Sequence, residues 1–455
     1  MKMPELPADE KTSQEERRSL NYKLGLLVII ATCALVSIVL ISQQLIVRHL
    51  AGDLPPATLQ LTIPREGWSH PRLTHPADTS QDFLVQIFHY DSDADSSTEG
   101  MVEVEGKMVE EGEVVEEGLY WSGEVLESLT AGPDSQTLQD QILELRGRKV
   151  KSLEEPSWSR CGQQAGQNRF VTFLSGFSAC ARYREPQTHL VLGELMSFYL
   201  ARLLGMTNVP AVVLSQVEPH DPVWAGVLQD VETAGWNYGS TVALIQWVEE
   251  EDLARDNMPD LLRRALLDRQ TIDPTSSQLT VRQAAQLAQW SDLVVFDFIT
   301  ANYDRVASMQ DAAQREGQPE ILSERVHNLL TSRATGRLWM IDNEAGLLDG
   351  YSLLYPASDQ MAGEAERFQE MHRDLLHTLC IFKRSTVAAV FALYKSGDAA
   401  SLLDQFIARN EPLYREVYTQ LPGGQKVWKQ HFQQRIEEVW IWMKQCQESV
   451  GFSHQ

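Results

Sequence analysis

Two short motifs hold the side chains best suited to chemistry. Asn302-Tyr303-Asp304-Arg305 closes the apolar run 293–299, and Asp342-Asn343-Glu344-Ala345-Gly346 follows the apolar stretch 338–341. Two carboxylates at the ends of buried elements, a few dozen residues apart, form the layout that phosphoryl transfer needs. One orients the attacking hydroxyl and the other holds the metal on the nucleotide phosphates. Asp304 and Asp342 are the candidate pair. Asp297, inside the first apolar run, reads as a buried, hydrogen-bonded support rather than a reactant. Taken alone, Asp342-Asn343-Glu344 would pass for an ordinary turn after a strand.

The elements that must position these motifs follow from periodicity. Residues 169–174 and 177–183 are β-rich runs on either side of Ser175-Gly176, which predicts a hairpin with a two-residue turn. Val191, Leu195, Phe198 and Arg202-Leu203-Leu204 recur at helical spacing until Gly205 and Pro210 stop them. Strands are expected at 212–214 and 242–247. After Leu261 the pattern turns helical, with helices near 364–380, 384–396, 400–409 and 426–448. Trp247, Trp290 and Trp339 are assigned to the core. β-rich followed by α-rich is an α+β layout. The globular part is roughly 335 residues, more than one typical core supports, so two lobes are expected.

Residues 24–41 carry no charge, and the apolar residues 45–47 extend them. That length approaches the ~20 residues that cross a hydrocarbon core. The run starts after a polar tail and has no small-residue exit, so it reads as an uncleaved anchor over 24–47 rather than a cleaved leader. Lys11, Arg17, Arg18 and Lys23 precede it closely, whereas Arg48 stands nearly alone beyond it. The positive-inside bias then keeps 1–23 cytosolic and places the rest in the lumen, as a single-pass type II protein. Cys33 lies within the span. Cys161, Cys180, Cys380 and Cys446 are an even set in an oxidising compartment, where pairing is expected. Three connectivities exist, and Cys161–Cys180 with Cys380–Cys446 closes the shortest loops. No Cys-x-x-Cys pair occurs, which disfavours zinc.

The chain carries 39 basic and 63 acidic side chains, a formal charge of −24, which disfavours nucleic acid as a partner. Much of the surplus is local. Residues 91–117 hold eleven acids against Lys107 alone, and from residue 101 three hexads repeat, each ending in glycine, at Gly106, Gly112 and Gly118. Such density of like charge predicts a solvated segment. With the prolines at 55, 56, 64, 71 and 76, residues 48–118 read as a stem. The globular domain is expected over 119–455.

Several stretches in order carry a resemblance: Gly118-Leu119-Tyr120-Trp121-Ser122, Ala179-Cys180-Ala181-Arg182-Tyr183, Gly193-Glu194-Leu195, Phe296-Asp297-Phe298 through Arg305, and Ile341-Asp342-Asn343-Glu344-Ala345-Gly346. They resemble the Four-jointed family of secretory-pathway atypical protein kinases, over about residues 118 to 351, with Cys380 and Cys446 extending the match. The stem does not take part. The resemblance implies an atypical two-lobed protein-kinase-like fold. It also implies a Golgi lumenal serine/threonine kinase using ATP with Mn or Mg. Its substrates would be ectodomains, the cadherin repeats of Fat and Dachsous type, in planar polarity and growth control.

On this likeness Asp304 is the catalytic carboxylate and Asp342 the metal ligand. Arg182 contacts the nucleotide phosphates and Glu194 holds it. Most kinases have Lys at the position of Arg182, and a planar guanidinium is not a point charge. No Gly-x-Gly-x-x-Gly loop is present; Gly162 and Gly166 are the nearest substitute. The alternative function is a pseudokinase or released ligand that binds ectodomains without phosphoryl transfer.

Overall fold

The structure, a computed structural model, describes residues 114–453 apart from 158–159, 163–167, 250–252, 273–278 and 424–426. The expected tail 1–23, the anchor 24–47, the stem as far as residue 113, and Gly166 lie outside the described residues. Among the described residues no helix is long and apolar enough to cross a membrane.

Strand pairing begins before residue 119, where β1 (Val115–Glu116) meets β2 (Tyr120–Trp121). Two helices follow, α1 (Gly123–Glu127) and α2 (Ser135–Gly147). Asp134 caps α2 by accepting the Thr137 N–H at 2.7 Å, which satisfies one of the helix's free donors. The main sheet then forms from β3 (Val150–Glu154), β4 (Asn168–Phe173), β5 (Ser178–Arg182), β6 (Val212–Gln216) and β7 (Thr241–Gln246). Its order is β3-β4-β5-β7-β6, and every neighbouring pair is antiparallel. The β4–β5 hairpin stands where the sequence puts it, but its turn spans 174–177 rather than two residues. The Phe173 N–H donates to Phe177 O at 2.9 Å.

α3 (Thr188–Leu203) packs on β6 and β7 and also meets helices, so residues 191–201 are buried on every side of it. After α4 (Leu228–Thr233), β8 (Leu253–Asn257) and α5 (Asp260–Asp268) comes α6 (Val281–Thr300). A reciprocal cap between Thr280 and Gln283 starts α6. Its last two turns are the apolar run that leads into Asn302-Tyr303-Asp304-Arg305. α7 (Val306–Glu316) leaves that loop, and β9 (Arg325–Ser332) and β10 (Leu338–Met340) form a hairpin that delivers Asp342. β8 flanks it, in the order β10-β9-β8.

Helices account for the rest: α8 (Leu348–Leu354), α9 (Ala362–Leu376), α10 (Arg384–Ser396), α11 (Ala399–Asn410), α12 (Tyr414–Thr419) and α13 (Trp428–Ser453). The described chain is thus mixed α/β, with the main sheet in its first half and helices dominating its second. Trp290 and Trp339 are in the core. Trp247 is only half-buried and sits edge-on to Phe170 with ring centroids 5.4 Å apart, because it lies just past the end of β7.

Cys161 is bonded to Cys180, and Cys380 to Cys446. The first bridge ties the approach to β4 onto β5. The second ties the segment after α9 to α13, across a sequence separation of 66. Two glycines permit close approaches around the motifs. A Cβ on Gly193 would come 2.7 Å from Glu344 O, and one on Gly350 would come 2.2 Å from Ala301 O. Both distances lie inside backbone contact, so α3 and α8 reach the two motif loops only because these positions lack side chains.

Candidate active site

Arg182 ends β5 and Glu194 lies on the second turn of α3. The sheet and the helix packed on it bring them together, with Arg182 Nη1 donating to Glu194 Oε2 at 2.9 Å. The same nitrogen donates to Asp342 Oδ1 and lies 3.2 Å from Glu344 Oε2. Arg184 projects from the chain two residues on and grips Glu344 with both ends of its fork, at 2.8 and 3.1 Å. Its Nη1 donates to Asn168 Oδ1 at 2.7 Å. Bidentate pairing fixes the carboxylate's plane as well as its distance. The Asn343 N–H donates to Glu194 Oε2 at 2.8 Å, which fastens the Asp342 loop to α3.

Three carboxylates therefore surround two guanidinia, and their titration follows. Burial pushes the Glu194 carboxyl up to about 7, against the pull of Arg182 and with the help of Asp342 and Glu344. Burial also works against the Arg182 charge, but the three carboxylates outweigh it and hold its pKa above the ordinary value. Asp342 is partly open, with 35% of its side chain exposed. Burial acts to raise its pKa, yet Arg182, Arg184 and Arg305 hold it below the usual carboxylate range.

The second motif is built around Arg305, which is fully buried. Its Nη1 donates to Asp297, and its Nη2 donates to Asn343 Oδ1 and to Ile341 O at 3.1 Å. Its Nε reaches Asn328 O at 3.3 Å. One side chain thereby joins α6, the β9–β10 hairpin and the Asp342 loop. Asp297 is the buried support that its apolar neighbours suggest. Burial lifts its pKa to about 6 although Arg305 opposes this. Asp304 accepts the Asn328 Nδ2–H at 2.8 Å, and its own N–H donates to Asn302 Oδ1 at 3.0 Å. Burial and then the Asp342 charge raise the Asp304 pKa. The two motif carboxylates thus sense each other.

Behind the loop, His372 Nε2 donates to Asn302 O at 3.1 Å, and Arg435 on α13 donates to His372 Nδ1 at 3.1 Å. These two bonds fix a neutral imidazole. Burial and Arg435 lower the His372 pKa to about 3. Backbone strain gathers at the same place. Of seven described non-glycine residues with positive φ, four are Ala301, Asn328, Asp342 and Leu347, at +57°, +57°, +55° and +53°. Such a conformation costs roughly 1–2 kcal/mol for an L-residue, and clustering of this kind is typical of functional loops.

Residues 136–449 match the Four-jointed box protein middle domain. The chain belongs to the Four-jointed box family. It is 32% identical over 305 residues to Four-jointed box protein 1 of Mus musculus, covering 66% of this chain and 63% of that protein. It is 29% identical over 379 residues to the extracellular serine/threonine protein kinase four-jointed of Drosophila melanogaster, covering 73% of this chain and 61% of that protein. These matches span less than two thirds of either relative's length. Among solved structures, the Golgi casein kinase with Mn/ADP bound is similar over 70% of this chain and 78% of that one, at 12% identity and a TM-score of 0.42.

Within this Four-jointed box chain, the structure brings Arg182, Glu194 and Asp342 into direct contact, with Asp304 near enough to sense the Asp342 charge, and Cys380–Cys446 takes no part in these contacts. It adds Arg184, Glu344, Arg305, Asn343 and Asn328, to which the sequence reading gave no roles. Two of these had a signal. Arg184 lies two residues after Arg182, hence on the same side of an extended chain. Arg305 is the nearest cation in sequence to Asp297, an acid inside an apolar run that needs a partner. Asn328 carries none, since its role depends on how β9 bends.

Proposed function

We propose that the chain is a serine/threonine protein kinase that uses ATP with Mn or Mg to phosphorylate ectodomains passing through the secretory pathway, the cadherin repeats of Fat- and Dachsous-type proteins among them. The observation that carries this reading is the convergence of Asp304 and Asp342, from loops far apart in sequence, beside the buried Arg182–Glu194 pair. Family membership and the name of the Drosophila relative support it. The fold is accordingly read as an atypical kinase-like one, in which Arg182, at the end of β5, would contact the nucleotide phosphates.

The donor set fits a divalent ion that shares its ligands with phosphate. Among the described residues no three Asp, Glu, His or Cys side chains form a cage. Mg²⁺ commonly uses one or two carboxylates and completes its shell with phosphate oxygens and water. Asp342, partly exposed and held ionised, is the ligand this requires. A bound ion would neutralise charge on the transferring phosphoryl group. Arg182, oriented by Glu194, would supply the fixed positive contact to the phosphates. Asp304 would accept the proton of the attacking hydroxyl, and its raised pKa brings its basicity closer to working pH.

Residues 1–23, 24–47, 48–118 and 119–455 are read as cytosolic tail, Golgi membrane anchor, lumenal stem and catalytic domain. The two disulfides suit an oxidising lumen. The test is phosphate mapping on cadherin ectodomains incubated with ATP and Mn or Mg. Wild type is expected to modify serine or threonine, and Asp342→Ala to modify none. Equal labelling by both would replace this reading with that of an ectodomain-binding module.

A further inference from the structure

A concavity lies away from the motif residues. It has a volume of about 860 Å³ and is lined by β8, the β9–β10 turn, the first turns of α6 and the loop after α1, and none of the motif side chains line it. Its wall carries Arg255, Arg282, Arg325 and Arg333 against one carboxylate, Asp256. All four arginines are exposed, and none makes an ion pair among the described residues. This is unusual in a chain of formal charge −24.

Polar groups in the wall also lack partners. Trp290 is fully buried, yet its indole N–H has no acceptor, and Thr331 Oγ1 and Asp256 Oδ2 are buried without partners as well. A buried donor left unpaired costs about 1–3 kcal/mol, which a ligand can recover. Residues 254–257 all line the cavity. Successive strand side chains point to opposite faces, so a wall made of four consecutive residues presents the strand's edge. β8 is the edge strand of its sheet, and its register with β9 shifts after Arg255, leaving Asp256 out of the ladder.

We infer that this cavity docks an extended acidic peptide, which adds to the open edge of β8 as a further strand and sets its carboxylates against the four guanidinia. Main-chain pairing to the edge would supply affinity, and alternate acidic side chains would supply selectivity. Binding at this edge is independent of phosphoryl transfer.

The test uses the full chain and a fluorescent peptide of about ten residues alternating valine and glutamate, long enough to span any ordinary strand, read by anisotropy. Saturable binding is expected. The double variant Arg255→Glu, Arg325→Glu should weaken it at least about tenfold with little change in melting temperature. Trp290→Phe should weaken it less. N-methylation of alternate peptide amides, measured on the unaltered protein, should also weaken it about tenfold, since it blocks strand pairing. Equal binding of the N-methylated peptide, or of the wild-type peptide by the double variant, would overturn the inference. So would tight binding of a sulfated oligosaccharide with none of the peptide.

Discussion

Arg182 and Arg305 are two buried guanidinia that both hold the Asp342 loop, and their surroundings differ in charge balance. Around Arg182, with Arg184 beside it, three carboxylates face two cations, and Arg182 Nε has no partner. Around Arg305 a single carboxylate, Asp297, faces it, and neutral acceptors from Asn343, Ile341 and Asn328 take its other N–H groups. The Arg305 cluster is complete as it stands. The Arg182 cluster carries surplus negative charge and an open Asp342, which a divalent ion and a nucleotide would balance. The first is a brace and the second a receiving site, and substitutions should separate them.

The largest effect belongs to the brace. Arg305→Ala leaves Asp297 buried without its partner, to be carried either as an unpaired charge or as a neutralised acid, a change that typically costs about 3–5 kcal/mol. Urea unfolding should show a midpoint far below wild type, or secretion should fail. A variant with wild-type stability would remove the distinction between the two clusters. Next comes the bridge between α13 and the segment after α9. Cys380→Ser should cost about 2–5 kcal/mol by the same measurement, because it frees a long loop in the unfolded chain.

A smaller effect concerns the support behind the Asn302 loop. His372 has a folded pKa of about 3 against roughly 6.5 in the unfolded chain. Below about pH 6.5 the unfolded chain therefore binds a proton that the folded one refuses, and stability falls as pH drops toward 3. From about pH 7 to 5 the loss from this group is on the order of 1–2 kcal/mol. His372→Gln keeps a donor for Asn302 and an acceptor for Arg435 without titrating, so its stability should fall less over that interval. Measuring the difference between the two proteins cancels the groups they share. Parallel curves would show that His372 is not held neutral.

The smallest effect on stability is expected at the receiving site. Asp342→Ala removes one of three carboxylates around Arg182, so unfolding free energy should change by less than about 1 kcal/mol, within the range of substitutions that break no buried balance. The rise in melting temperature given by ATP with Mn should nevertheless be lost. A large loss of stability would place Asp342 with the brace.

Much of this arrangement is legible in the sequence where periodicity is strong. The β4–β5 hairpin, α3, and the helices α9, α10, α11 and α13 follow from alternation and helical stripes. Asp304 and Asp342 stand out because each closes an apolar run. β3 and β8, reading Val-Lys-Ser-Leu-Glu and Leu-Ala-Arg-Asp-Asn, hold too little apolar alternation to announce edge strands. Asn328, on β9, becomes a partner of Asp304 only through tertiary packing, which no local pattern encodes. The Arg184–Glu344 pair joins residues 160 apart, and its existence depends on the sheet and the loop meeting.

The central claim is that Asp304 acts on the acceptor side and Asp342 on the nucleotide side. It is tested most directly by measuring metal-dependent ATP binding and phosphate transfer to a cadherin ectodomain for Asp304→Asn beside wild type. Nearly unchanged binding is expected, with transfer reduced to background. Transfer at the wild-type rate, or loss of nucleotide binding with the fold intact, would contradict it.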